Sequence, residues 1–178
     1  ADGVVSDIVE IDHDPLLDTP AIRVGIFLSV FNVHINRAPC DGRVVDVIYK
    51  KGKFINAMRH NEASSNNESN TLVLAEPQGE RRVAVVRQIV GLIARRIVCT
   101  ARVGDQVKRG DRIGMIKFGS RTELYIPKWL EPKIQVQVGQ KVRGAADVIA
   151  ILGQPIHVRD AEPVDEEYEP IAPRRTPA

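Results

Sequence analysis

Short apolar runs separated by glycine and proline set the pattern of this chain. Residues 1–8 and 40–47 each read as a glycine turn opening a strand whose side chains alternate with a period of two. Further strands are expected at residues 21–30, 72–75, 83–90, 96–100, 112–117, 123–126, 134–138 and 148–152. The stretch 61–70 is rich in Asn and Ser and reads as a loop. Many short strands with turn residues between them predict a mainly β sandwich or barrel with few short helices.

Two internal echoes refine that expectation. Ala1-Asp2-Gly3-Val4-Val5-Ser6-Asp7-Ile8 returns as Cys40-Asp41-Gly42-Arg43-Val44-Val45-Asp46-Val47, 39 positions later. Val103-Gly104-Asp105-Gln106-Val107 returns as Val138-Gly139-Gln140-Lys141-Val142, 35 positions later. Two copies of each unit predict a pseudo-twofold β structure rather than a solenoid, which needs three or more repeats.

Composition adds the filling. Aromatic residues make up 4% of the 178, so Val and Ile must build the core, and branched side chains favour strands. No apolar run approaches the roughly 18 residues of a membrane helix. The two cysteines, Cys40 and Cys99, suggest neither a disulfide framework nor a metal cluster, and a reducing compartment fits them. The formal charge is +2, unevenly spread. Residues 154–178 hold three arginines and six acids, a balance of −3, which leaves +5 for the body. Such a body suits anionic lipid or ligand, although ordinary solubility charge explains it too. We expect residues 1–153 to form the domain and the acidic, Pro-rich tail 154–178 to be disordered. Strand-like sequence begins at once at Ala1, and we expect a further segment upstream.

The candidate chemistry sits at two places. Gly119-Ser120 pairs a hydroxyl with an unbranched neighbour, so the serine can attack the carbonyl before it with little steric resistance. Such pairs mostly mark turns, so their surroundings must carry the case. His34 alternates with Val33 and Ile35 and points away from them; a single histidine in a strand is more often structural than catalytic. Pro39 then ends regular pairing and Gly42 starts the next strand.

Taken in order, Ala1-Asp2-Gly3, then His34 followed by Ala38-Pro39-Cys40-Asp41-Gly42, then Asn67-Glu68, then Phe118-Gly119-Ser120-Arg121 resemble the phosphatidylserine decarboxylases, particularly their short bacterial and archaeal form. The resemblance runs from Asp2 to about Leu152. It implies a self-processed enzyme that converts phosphatidylserine to phosphatidylethanolamine and CO₂. The chain would break between Gly119 and Ser120 into a β chain (1–119) and an α chain (120–178). Ser120 would become a pyruvoyl cofactor that forms a Schiff base with the substrate amine. An Asp–His–Ser set is implied for cleavage, with Asp2 and His34 in the matching positions. His34 would also return the proton after CO₂ departs.

Two departures accompany the match. Arg37 stands where longer bacterial members carry a second histidine, so either His34 serves both steps or His60 or Arg37 takes part. Ser69 stands where the family commonly has Arg, and the Asn67–Asn70 stretch is read as loop only. Arg37 and Arg121 are the candidates for the substrate phosphate. Implied partners are the lipid, the chain's own two fragments and a membrane surface, peripherally and on the cytoplasmic face of the cell membrane. An exposed strand edge suggests a homodimer; no nucleic acid and no metal are implied. An archaeal ether-lipid analogue is an alternative substrate.

Two rival classes remain. The second echo, with Lys117 between them, is similar to a biotinyl or lipoyl carrier domain, whose related β hairpins present a modified lysine; the fold expected here is of that hybrid type. Lys117 is flanked by Ile116 and Phe118 where carriers have Met. A noncatalytic lipid-surface β protein is the third class.

Overall fold

A computed structural model describes residues 1–55, 57, 60–92, 96–116, 120–154 and 156. In chain order its strands are β1 Gly3–Asp14, β2 Thr19–Leu28, β3 Ile35–Arg37, β4 Gly42–Lys50, β5 Ser69–Ala75, β6 Arg82–Ile89 and β7 Ile97–Cys99. There follow β8 Gln106–Val107, β9 Arg112–Ile116, β10 Ser120–Pro127, β11 Pro132–Ile134, β12 Lys141–Val142 and β13 Ala150–Leu152. Among the described residues one α-helix, α1 His60–Asn66, lies between β4 and β5, and a short 3-10 turn, Lys128–Leu130, follows β10. Eight strands form one antiparallel sheet in the order β12-β1-β2-β10-β6-β5-β4-β8, curled as a half barrel. Two smaller sheets, β3-β9-β7 and β11-β13, complete the fold.

The two echoes become a twofold repeat of the large sheet. Read from either end, the strand order matches β12 with β8, β1 with β4, β2 with β5 and β10 with β6. Register agrees. Gly3 faces Val142 and Val4 faces Lys141, while Gly42 faces Val107 and Arg43 faces Gln106. β1 shifts register between Val5 and Asp7, and β4 shifts between Val44 and Asp46. Val5 exchanges backbone hydrogen bonds with Gln140 and Gly139, as Val44 does with Asp105 and Gly104. Both turn glycines sit at positive φ, 96° at Gly104 and 88° at Gly139, which a side chain would resist. The axis of the repeat passes between Leu124 and Val86, a facing pair on the two central strands.

Burial follows strand parity. On one face of the large sheet, Leu72, Val86 and Ile113 pack with Ala38, and Val44, Leu74, Ile126 and Leu130 pack with Trp129 and the β11-β13 pair. On the opposite face, Val73, Val85 and Tyr125 pack with Leu17 and Ala21. β10 is thus covered on both sides, as a central strand with helices or sheets over both faces must be.

Several expectations need correction. Residues 61–70 are not a loop: α1 occupies most of them and β5 begins at Ser69. Asn67 explains why this polar stretch orders. Its buried amide accepts from Ile55 N at 2.8 Å and donates to Ile55 O at 2.7 Å and Val90 O at 2.8 Å, so it pins two segments to the end of the helix. β11 ends at Ile134, where a strand was expected to start. β10 begins three residues earlier than expected, at Ser120. His34 precedes β3 rather than sitting within a strand. The edge strands of the large sheet, β12 and β8, have two residues each. The tail beyond residue 156 lies outside the described residues. No helix among the described residues is long and apolar enough to cross a membrane.

Candidate active site

Ser120 opens β10, fully buried, and faces Leu28 at the end of β2. Its hydroxyl lies 3.1 Å from His34 Nδ1. Across the ring, His34 Nε2 is 2.8 Å from the Ser29 carbonyl oxygen. A carbonyl can only accept, so Nε2 carries the proton and donates it. In the neutral ring Nδ1 is then bare and accepts from Ser120 Oγ. Backbone geometry therefore selects the tautomer in which His34 is a base towards Ser120.

A short turn supports that carbonyl. Asn32 Oδ1 accepts from Ser29 N and from Ser29 Oγ, both at 2.8 Å, and Asn32 N donates back to Ser29 O at 3.0 Å. The turn is closed by Asp2 N, which donates to Val33 O at 3.1 Å. This changes the place expected for Asp2. Its carboxylate accepts from Gly144 N at 2.8 Å, while the far ring nitrogen of His34 is held by Ser29. On its far side His34 thus meets a backbone acceptor, and the backbone of Asp2 ties down the segment that carries the ring. Sequence reasoning missed Ser29 because a carbonyl oxygen has no residue type to read.

Below this pair runs a chain of buried amides. Asn36 Nδ2 donates to Thr122 Oγ1 at 2.8 Å, Gln88 Nε2 donates to Asn36 Oδ1 at 2.7 Å, and Asn70 Nδ2 donates to Gln88 Oε1 at 3.1 Å. On the other face of β10 lies a charge network. Arg121 Nε reaches Glu123 Oε1 at 2.9 Å and Arg121 Nη2 reaches Asp7 Oδ2 at 2.6 Å. Arg23 Nη2 meets Asp7 Oδ1 at 3.1 Å, Tyr125 donates to Glu123 Oε2 at 2.8 Å, and Ser64 on α1 donates to Glu123 Oε1. Burial pushes the Glu123 carboxyl up, but the Arg121 charge and three hydrogen bonds outweigh it and hold it below its usual value. Asp7 is lowered for the same reasons: burial raises it, and Arg121 first and then Ser6 and Arg23 bring it down. Burial, with the Glu123 charge beside it, pushes the Tyr125 phenol up to about 12.

The other expected site residues separate here. Arg121 is not available to a substrate phosphate: its side chain is fully buried and paired with Asp7 and Glu123. Arg37, half-buried, donates to Gly110 O at 2.7 Å. His60 opens α1, but its side chain lies outside the described residues. Gly119, Lys117 and Phe118 also lie outside them, so the cleavage bond and the carrier lysine have no structural description. Burial raises the Cys40 thiol to about 12, with Asp41 adding to the shift, which fits a structural cysteine. Trp129 stacks against Arg81, 3.4 Å from its ring centroid, beside a shallow cleft at the end of the sheet away from Ser120.

Comparison with known proteins agrees with the order of motifs. The family model for phosphatidylserine decarboxylase matches residues 1–150. The phosphatidylserine decarboxylase proenzyme of Rhodopirellula baltica is 52% identical over 150 residues, covering 84% of this chain and 61% of the relative. That of Syntrophus aciditrophicus is 48% identical, covering 80% and 65%, and that of Neisseria meningitidis serogroup B is 41% identical, covering 96% and 63%. The chain therefore spans somewhat less than two thirds of the length of these curated relatives. No solved structure matches it. With residues 1–150 under one family model and such identities to several of its curated members, the chain belongs to the phosphatidylserine decarboxylase family.

Proposed function

We propose that this chain is the catalytic part of a pyruvoyl-dependent carboxy-lyase that converts phosphatidylserine to phosphatidylethanolamine and CO₂. It matures by cutting itself between Gly119 and Ser120. The observation that carries the reading is the bare His34 Nδ1 at 3.1 Å from Ser120 Oγ, its tautomer set by Ser29. That separation lies within proton-transfer reach.

His34 takes the hydroxyl proton as Ser120 Oγ bonds to the Gly119 carbonyl carbon. The Gly119–Ser120 C–N bond breaks, the proton goes to the new amine, and an ester joins the fragments. Loss of the Ser120 α-proton expels the Gly119 carboxylate and leaves dehydroalanine. Water then releases ammonia and leaves a pyruvoyl group at the head of the 120–178 fragment. The residues present fit that origin, because a buried hydroxyl next to an oriented base is what the first step requires. When formed, the pyruvoyl carbonyl supplies an electron sink for the pair left by departing CO₂. His34 stands at the same place to return a proton to carbon, and Arg37 remains the candidate for the lipid phosphate.

We infer that the site works at a membrane surface, peripherally, on the cytoplasmic face of the cell membrane. What supports this is the end of the sheet that holds Ser120. Phe27, Arg121, Ile89, Ser69 and Lys50 lie in one row across five strands. Just past that row come exposed Val30, Phe31 and Val33 after β2, Leu92 after β6, and Lys51, Lys53 and Phe54 after β4. Phe31 is 95% exposed. Apolar tips and lysines at one end suit an anionic bilayer.

Mass spectrometry of the purified protein tests the function. We expect two chains divided after Gly119, the second blocked by a pyruvoyl group, and release of label from carboxyl-labelled phosphatidylserine in detergent. A single intact chain with no label released would end this reading.

A further inference from the structure

We propose that Asn36 and Thr122 are positioning residues for self-cleavage, forming a second rung that holds His34 at Ser120. The inference rests on the reading of Ser120 as the cleaving residue. His34 meets Ser120 at 3.1 Å, and two residues further along each segment Asn36 meets Thr122 at 2.8 Å. Ser120 and Thr122 share a face of β10, and His34 leads directly into β3, which carries Asn36, so these contacts are successive links between the two segments. β3 and β10 belong to different sheets and share no backbone ladder. Their relative register therefore depends on side chains.

The second rung is built to be stiff. Asn36 is held from behind by Gln88, and Gln88 by Asn70, all of them buried. Every amide in the chain donates in one direction, towards Thr122, so each bond polarises the next. Gly114 faces Asn36 across the small sheet. A Cβ there would stand 2.8 Å from Gln88 Nε2 and 2.3 Å from the Val98 carbonyl oxygen, so the missing side chain is the room that Gln88 uses. Apolar residues of similar volume would fill this space without the desolvation cost of four polar side chains. What the polar chain adds is a fixed direction and length. The reaction needs that, because a misplacement of about 1 Å can cost about 100-fold in rate.

The test compares Thr122→Val, which removes the hydroxyl at nearly constant shape, with Thr122→Ser, which keeps it. Chains are made by cell-free synthesis, quenched at intervals and weighed by mass spectrometry; near-UV circular dichroism and melting give the folded fraction. We expect T122V to cut about 100-fold more slowly per folded molecule and T122S to stay within a few-fold of the unaltered chain. Should T122V not fold, Asn36→Ala reports on the same rung from the other strand, with the same slow cleavage expected. A folded T122V or N36A that cuts at the unaltered rate, or a T122S as slow as T122V, overturns the proposal. An unaltered chain that never cuts overturns the reading beneath it as well, so the two failures are distinguishable.

Discussion

The two halves of the large sheet share a backbone and differ in what they bury. β1, β2 and β10 repeat as β4, β5 and β6, down to the register shift beside Asp7 and beside Asp46. In the second half, the residues facing each other on that side of the sheet are Val73 and Val85, packed in an apolar cluster. In the first half the same two places hold Gly25 and Glu123. The glycine is what the charges require: a Cβ at Gly25 would stand 2.1 Å from Arg121 Nη2 and 2.6 Å from Asp7 Oδ2. One half fills its interior with valine, and the other empties a position to admit an ion network. That network sits directly behind Ser120, on the strand that begins with it. Burying charges is a poor way to gain stability, since paired hydrophobic residues often do as well. Its presence in only the half that carries Ser120 ties it to holding β10 and α1 in place.

The contrast can be broken in order of expected effect. Ser120→Ala should abolish chain scission outright, read as one intact mass; any efficient cut at residue 119 in that variant sinks the role given to the half that carries Ser120. Gly25→Val, which copies Val73 into the first half, should drive a methyl group into the Arg121–Asp7 pair. We expect a loss of about 3–5 kcal/mol in urea unfolding. Glu123→Gln should cost about 3 kcal/mol by leaving Arg121 short of its buried partner, whereas Val85→Ala at the matching position should cost about 2 kcal/mol as a simple cavity. Equal costs for the two would mean that the halves do not differ in the way described.

Acidity gives a finer version of the same test. Glu123 and Asp7 titrate below their ordinary values of 4.5 and 3.8 when folded. A lowered folded pKa contributes stability that is complete above the ordinary value and is lost as pH falls through the lowered one. The unaltered protein should therefore weaken below about pH 4.5, and E123Q should show a shallower slope there. Unchanged slopes would remove Glu123 from the acid response. The smallest effect on stability belongs to Phe31→Ser, within about 0.5 kcal/mol, because the ring is already exposed. With Lys51→Glu added, flotation with phosphatidylglycerol vesicles should weaken about tenfold or more, while turnover of detergent-dispersed substrate persists. Undiminished flotation would move the lipid surface elsewhere.

Much of the architecture was legible in the residues. The echoes 1–8/40–47 and 103–107/138–142 are short, but each preserves the glycine and the alternation that define a turn and the strand it opens. They became β1/β4 and the β8/β12 pairs. The polar stretch 61–70 misled because Asn and Ser favour loops when nothing else satisfies them. Here Asn67 bonds backbone groups from two remote segments, and Ser64 bonds a glutamate 59 residues away. Arg121 misled in a similar way. An arginine beside a reactive serine suggests a phosphate ligand, but strand parity turns it to the opposite face, where Asp7 and Glu123 meet it.

The sequence by itself determined the fold class, the repeat and the family, because period-two alternation, turn glycines and motif order are local properties of a chain. Tertiary structure alone decided which nitrogen of His34 faces Ser120. The deciding group is a backbone carbonyl on a neighbouring turn, and no side chain announces it. It also decided that the Asp2 carboxylate meets Gly144 N, that Arg121 is buried against Asp7, and that Asn36 and Thr122 repeat the His34–Ser120 spacing. Each of these depends on which strands lie side by side across 86 or more residues, a relation that only the closed sheet can set.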